Sequence, residues 1–268
     1  MYVTAIHGKS YLLSLYTLAE SLSRVTKHPL VVLLDKDSLG FNETEEETFA
    51  SYRGCLKFIT INISNIHNPY KNAKKEDRRF KFVMNKLWAF GLPVQGRVVF
   101  VDADIVALQS PDELFAMPMS HEIRAAADCG VQCRTERFNA GVLLIKPSNI
   151  LLESMLAELG KLQSQDRGDQ GFLNSFFSRA WRSGEMTLDS NFNKLRRREP
   201  LGGEEFDVDN IVFLHAVGKP WRDGIKNYTE YPQTYKIFEA VLQKFLKRCD
   251  VRDVARRTFE SELKYMVY

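Results

Sequence analysis

The chain has 268 residues, with 37 Lys and Arg against 34 Asp and Glu for a formal charge of +3, and 44% of it is hydrophobic. That balance excludes a disordered chain, a collagen and a coiled coil, and it leaves room for a substantial core in one α/β domain spanning 1–268. It also excludes wholesale neutralisation of nucleic-acid phosphates, so the dense basic runs KKEDRR at 74–79 and RRR at 196–198 read as solvated faces.

Tyr2 to Ile6 is β-prone, and from Ser10, a candidate N-cap, the residues Leu12, Leu15, Leu18, Ala19 and Leu22 recur at helical spacing. The amino terminus has no basic region before an apolar run, and no window reaches the roughly 18 apolar residues of a membrane span. A cytoplasmic protein without a membrane anchor is expected. LVVLL at 30–34 is an apolar run of the kind buried on both faces of a parallel sheet. An acidic helix at 43–53 and the β-prone LKFITINI at 56–63 follow, and this alternation predicts helices on both faces of a mostly parallel sheet.

A polar loop at 64–77 leads to a helix, RFKFVMNKLWAF, that ends at Gly91 and Pro93. RVVFVDADIVAL at 97–108 reads as an apolar strand interrupted by two carboxylates. The segments 122–128 and 137–148 form a hairpin-like pair, with helices at 149–161 and 169–179. IVFLHAVGKPW at 211–221 is a last buried strand, and amphipathic helices at 235–247 and 251–265 cover the sheet or, alternatively, support a homodimer. Cys55, Cys129, Cys133 and Cys249 form no CxxC pair, which predicts reduced thiols in a cytosolic chain.

In an open parallel sheet, ligands bind beyond the carboxyl ends of the strands, where Asp102 and Asp104 fall. On an extended segment, residues i and i+2 point the same way. Two carboxylates beside VVFV therefore require a positive partner. A lone DxD is commonly a pair of capping or salt-bridged carboxylates. Here Lys86 precedes the strand on a helix, and His215 ends another apolar run. Two carboxylates and an imidazole, completed by phosphate oxygens, suit an octahedral divalent ion; the nitrogen ligand favours Mn2+ over Mg2+. Such an ion would stabilise a departing diphosphate, with Lys219 adding charge. Asn139 in FNAG can read sugar hydroxyls or serve as a turn residue before Gly141. Asp169 and Gln170 open a helix in GDQGFLN, where Asp169 is either an N-cap or a carboxylate beside a reacting carbon.

Taken in order, FVDADIVAL, FNAGVLLIKPS, GDQGFLN and HAVGKPW resemble glycosyltransferase family 8 and its glycogenin-like members, over about Tyr2 to Trp221. The resemblance implies a GT-A fold and metal-dependent, retaining transfer of a hexose, glucose or galactose, from a UDP-sugar. It implies Asp102, Asp104 and His215 as metal ligands, and Ala103 beside the ribose. Lys86 would lie on donor phosphate or sugar, with Asn139, Asp169 and Gln170 on the sugar and Asp169 nearest the anomeric carbon. Gly218 and Lys219 would form the diphosphate turn, and Ala5, His7 and Tyr11 would surround uracil, with Tyr11 stacking on the base. HAVGKPW is shorter than the family's HxxGxxKPW motif. The segment 185–210 contains no tyrosine, and little chain follows the motifs, so a self-glucosylating primer is the alternative reading. The preferred acceptor is a glycan on a cytoplasmic protein, as in the protist enzymes that cap the hydroxyproline-linked glycan of the SCF ubiquitin-ligase adaptor. A non-catalytic UDP-sugar or glycan binder would lack the intact carboxylates. A nucleotidyltransferase needs a Gly-rich basic loop that AIHGKSY does not supply.

Overall fold

Apolar side chains on both faces of the first strands explain the architecture of the computed structural model, which describes residues 1–35, 39–70, 81–129, 133–196, 207–216 and 232–249. In β1 (Tyr2–Ile6), Tyr2 and Ile6 enter one hydrophobic core and Val3 the other. Strand pleating alternates the faces, so a run without polar interruption is buried twice. A 3-10 turn at Lys9–Tyr11 separates β1 from helix α1 (Leu12–Val25), whose N-cap is Tyr11. The Ser10 cap expectation is thereby corrected, because the tighter turn takes up that residue. β2 (Leu30–Leu34) is fully buried, and α2 (Glu43–Leu56) starts with a reciprocal capping box between Asn42 and Glu45. β3 (Ile59–Asn62) is the edge strand.

The helix expected over RFKFVMNKLWAF is a 3-10 helix, Val83–Gly91. The single strand expected at 97–108 is two: β4 (Val98–Val101) and β5 (Ile105–Ala107), which belong to different sheets. The hairpin is β6 (Ile123–Cys129) and β7 (Cys133–Ile145), followed by α3 (Asn149–Glu158), α4 (Asp169–Phe176) and α5 (Ser178–Arg182). Then come β8 (Thr187–Leu188), β9 (Lys194–Leu195), β10 (Phe213–His215) and α6 (Pro232–Arg248). Of the segment 211–221, the described part carries the strand at Phe213–His215, and 217–221 lie outside the described residues.

The main sheet has the order β3-β2-β1-β4-β7-β6-β8, parallel from β3 to β4, antiparallel at β4–β7 and β7–β6, and parallel again at β6–β8. A small sheet, β5-β10-β9, lies beside it. α1, α2 and α6 cover one face of the main sheet; the 3-10 helix, α3, α4 and α5 cover the other. This is a mostly parallel α/β architecture with helices on both faces, as the alternation of elements predicts. Gly218, Lys219, most of the second basic run and the helix at 251–265 lie outside the described residues.

Two disulfides, Cys55–Cys249 and Cys129–Cys133, leave no free cysteine, which corrects the expectation of reduced thiols. Packing explains the pairing. The Phe245 ring stacks on Tyr16 at 5.3 Å and meets Tyr52 edge-on at 5.2 Å, and Arg248 pairs with buried Glu20 at 3.1 Å. These contacts bring the Cys249 and Cys55 Cα atoms within 5.8 Å, across a separation of 194 residues. Cys129 and Cys133 face each other in the β6–β7 register. Closing so long a loop restricts the unfolded chain, so Cys249→Ser should lower stability by about 2–4 kcal/mol in urea unfolding without reductant.

Candidate active site

The site forms where the parallel strands end. Asp102 and Asp104 leave the end of β4, but Asp102-Ala103-Asp104 is a turn and not the extended segment expected from the sequence. The turn is pinned on both sides. Asp102 N–H donates to the Gly141 carbonyl at 2.8 Å, and Ala216 N–H donates to the Asp104 carbonyl at 2.9 Å. The same backbone that switches sheets thus presents both carboxylates.

Lys86 projects from the 3-10 helix and is buried. Its Nζ lies 2.9 Å from Asp102 Oδ1 and 2.5 Å from Asp169 Oδ2, and it donates to the Ala140 carbonyl at 2.9 Å. An ammonium has three protons, and all three are committed here. Burial works against the charge, but Asp102 and Asp169 outweigh it and hold the lysine pKa above its ordinary value. Burial pushes Asp102 up to about 6; Lys86 opposes the rise, while Asp104 and Asp169 add to it.

Asp169 is free for this pairing because another residue caps its helix. The N-cap of α4 is Gly168, and Asp166 Oδ1 accepts from the N–H groups of Gly168 and Gly171, each at 2.9 Å. Asp169 is therefore not the N-cap, and its side chain lines the cleft.

Asn139 lies inside β7, not in a turn, and is buried. Its Oδ1 accepts from Gly141 N at 2.9 Å and from Asn193 Nδ2 at 2.8 Å, while its Nδ2 donates to Gln170 Oε1 at 2.9 Å. Gln170 Oε1 also accepts from Ala140 N at 3.1 Å. Two of the three side chains that the resemblance places on the sugar, Asn139 and Gln170, thus bind each other and the strand.

The donated amide fixes the orientation of Asn193, whose Oδ1 then faces His215 Nδ1 at 2.9 Å. A carbonyl oxygen only accepts, so His215 carries a proton on Nδ1 and turns Nε2 toward Asp104 Oδ1, 3.2 Å away. A neutral imidazole lone pair facing a carboxylate requires a cation, a proton or a metal ion, between them. Asp102, Asp104 and His215 offer ligand atoms that all lie within 4.8 Å of one another. Two oxygens and one nitrogen suit a divalent ion of the Mn2+ type.

Ala5, His7, Tyr11, Lys86, Asp102, Ala103, Asp104 and Asp169 line one cleft. His7 stands 5.1 Å from Tyr11 and 5.6 Å from Phe82, making an aromatic collar. Phe82, Asn193, Asp128 and Arg137 carry no motif. Asp128 Oδ2 receives Arg137 Nε at 3.0 Å and Nη2 at 2.7 Å, and its Oδ1 lies 3.4 Å from Asn139 Nδ2. A carboxylate ending the apolar run AAAD, as Asp102 ends VVFV, is the signal that marks Asp128 in the sequence.

The model of the family described as "Glycosyl transferase family 8" matches residues 3–224. The chain belongs to that family. Within it, the chain is similar to UDP-glucuronate:xylan alpha-glucuronosyltransferase 2 of Arabidopsis thaliana, 28% identical over 96% of this chain and 42% of the relative. It is also similar to glycogenin of Neurospora crassa, 28% identical over 88% of this chain and 33% of the relative. The chain spans about a fifth to two fifths of the length of the curated relatives it matches. The galactosyltransferase LgtC, solved in complex with donor and acceptor sugar analogs, shares the fold with a TM-score of 0.63 at 18% identity, over 91% of this chain and 96% of that one. This family 8 chain therefore has a GT-A-like fold, with an Asp-Asp-His group that could hold a metal ion beyond the end of β4.

Two substitutions test the geometry. Asn193→Ala removes the group that orients His215 and should weaken Mn2+ binding about 10–100-fold with the fold intact, read by titration calorimetry. Gly141→Ala should do the same, because a Cβ there would stand 2.3 Å from His215 Cε1. Separately, Lys86→Met would leave Asp102 and Asp169 as facing, half-buried carboxylates. It should cost roughly 1–3 kcal/mol in denaturant unfolding at neutral pH.

Proposed function

We propose that the protein transfers a hexose, glucose or galactose, or the related glucuronate, from a UDP-sugar to a glycan acceptor, with retention at the anomeric carbon and with Mn2+ as the cofactor. The cluster of Asp102, Asp104 and His215 beside the Lys86–Asp169 pair carries this reading, because it joins a cation site to a carboxylate within one cleft.

In this reading, His7, Tyr11 and Phe82 hold the uracil by ring contacts. Asp102, Asp104 and His215 would hold the ion, which supplies Lewis-acid stabilisation of the departing diphosphate. Lys86 keeps Asp102 and Asp169 oriented, and Asp169 faces the sugar. The acceptor oxygen bonds to the anomeric carbon as its bond to the β-phosphate oxygen breaks; the acceptor proton leaves with UDP or solvent. Stabilisation of charge on the leaving group supplies the largest share of the rate.

The acceptor has two readings. One is a glycan on a cytoplasmic protein such as the ubiquitin-ligase adaptor. The other is a polysaccharide such as xylan, with glucuronate as the sugar, after the name of the Arabidopsis relative. The paired cysteines favour the second, because disulfides persist in oxidising compartments. No described helix is long and apolar enough to cross a membrane.

A panel of UDP-glucose, UDP-galactose and UDP-glucuronate tests the proposal before any acceptor is known. Mn2+-dependent release of UDP is expected from at least one donor, falling at least 100-fold in Asp104→Asn. Full activity in that variant, or no release from any donor with Mn2+, would overturn it.

A further inference from the structure

A second cavity, of about 810 Å3, opens between the first half of β7 and helices α4 and α5. The strand ends projecting beyond the core leave Arg134, Thr135 and Glu136 exposed, and these face Ser178, Trp181 and Arg182 across the groove. Its inner wall is Gln170 and Asn174. Gln170 is thus the boundary with the donor cleft, since its neighbour Asp169 lines that cleft and not this one.

The walls are preorganised. Trp181 Nε1 donates to the Thr135 carbonyl at 3.0 Å, Asn174 bonds both the N–H and the carbonyl of Phe138 at 2.9 Å, and Ser175 Oγ donates to the Gln163 carbonyl at 2.6 Å. The polar groups facing inward, by contrast, have capacity to spare. Two nitrogens of Arg137 are held by Asp128, whereas its Nη1 and the guanidinium groups of Arg134 and Arg182 have no protein partner among the described residues. Fixed walls that offer guanidinium and hydroxyl groups beside a comparable share of apolar surface, with Leu162 and the edge of Trp181 in the lining, match a ligand that alternates hydroxyls with C–H faces. Glu136 and Asp166 offset the arginines, so a polyanion is not the ligand this lining selects.

We propose that this groove binds an oligosaccharide acceptor and leads its terminal hydroxyl past Gln170 toward Asp169. The proposal rests on the transferase reading for its role, but the groove's ligand is testable without turnover. The probes are maltohexaose, cellohexaose and xylohexaose at millimolar concentration, followed by saturation-transfer NMR on the full chain with UDP and Mn2+ present. At least one hexaose should receive saturation from the wild type and from Ser178→Ala. Ser178→Trp, which fills the groove, should weaken that binding at least tenfold, and Arg182→Ala, at an exposed side chain, at least threefold. Mn2+-dependent donor hydrolysis should stay unchanged in all three variants. Silence of all three hexaoses with the wild type, or wild-type binding by both Ser178→Trp and Arg182→Ala, would overturn the groove assignment. Should donor hydrolysis be absent while the binding pattern holds, the transferase reading fails and the glycan groove stands.

Discussion

One buried ammonium organises the catalytic end of this molecule. Lys86 reaches from the 3-10 helix to Asp102 after β4, to Asp169 at the head of α4 and to the Ala140 carbonyl inside β7. Each of those carboxylates alone would resist burial, and placed together they would repel. The lysine makes their juxtaposition possible, and its own burial is tolerated only because both are there. Four segments far apart in the chain therefore meet at one charge.

From that point a second network runs from an ion pair through side-chain amides. Arg137 holds Asp128, Asp128 and Gln170 hold Asn139, Asn139 holds Asn193, and Asn193 turns His215 toward Asp104. Each amide spends its donor and its acceptor on different neighbours, so no member can rotate without stranding another in a low-dielectric interior. A ligand group that is rigid before an ion or a sugar arrives loses little freedom on binding, which is the condition for strong electrostatic stabilisation. The groove beside α4 shares Gln170 with this network, so the two cavities are separated by a single fixed side chain.

Much of this was legible in one dimension. The double-sided burial of β1, β2 and β4 appears as unbroken apolar runs, and the carboxylates after β4 appear as an interruption of one. Asp102, Asp104, His215, Lys86 and Asp169 stand out for the same reason: charged or imidazole groups beside apolar runs require partners. Asn193 could not be found that way, since it lies in an irregular segment and matters only because its amide meets His215 and Asn139. Cys55 and Cys249 are likewise unremarkable until α6 packs its aromatic face on α1 and α2.

The amino-acid order by itself determined the layered α/β plan and pointed to Asp102, Asp104 and His215 as a group able to hold a cation, because hydrophobic period and charge placement are local properties. Tertiary structure alone decided that the DAD segment turns from one sheet to another, that Asp166 rather than Asp169 caps α4, and that Lys86 is saturated by two carboxylates and a carbonyl. It alone decided that the cysteines pair. Each of these is a choice between partners distant in sequence, and such a choice is made by three-dimensional proximity and the cost of leaving a buried polar group unmatched.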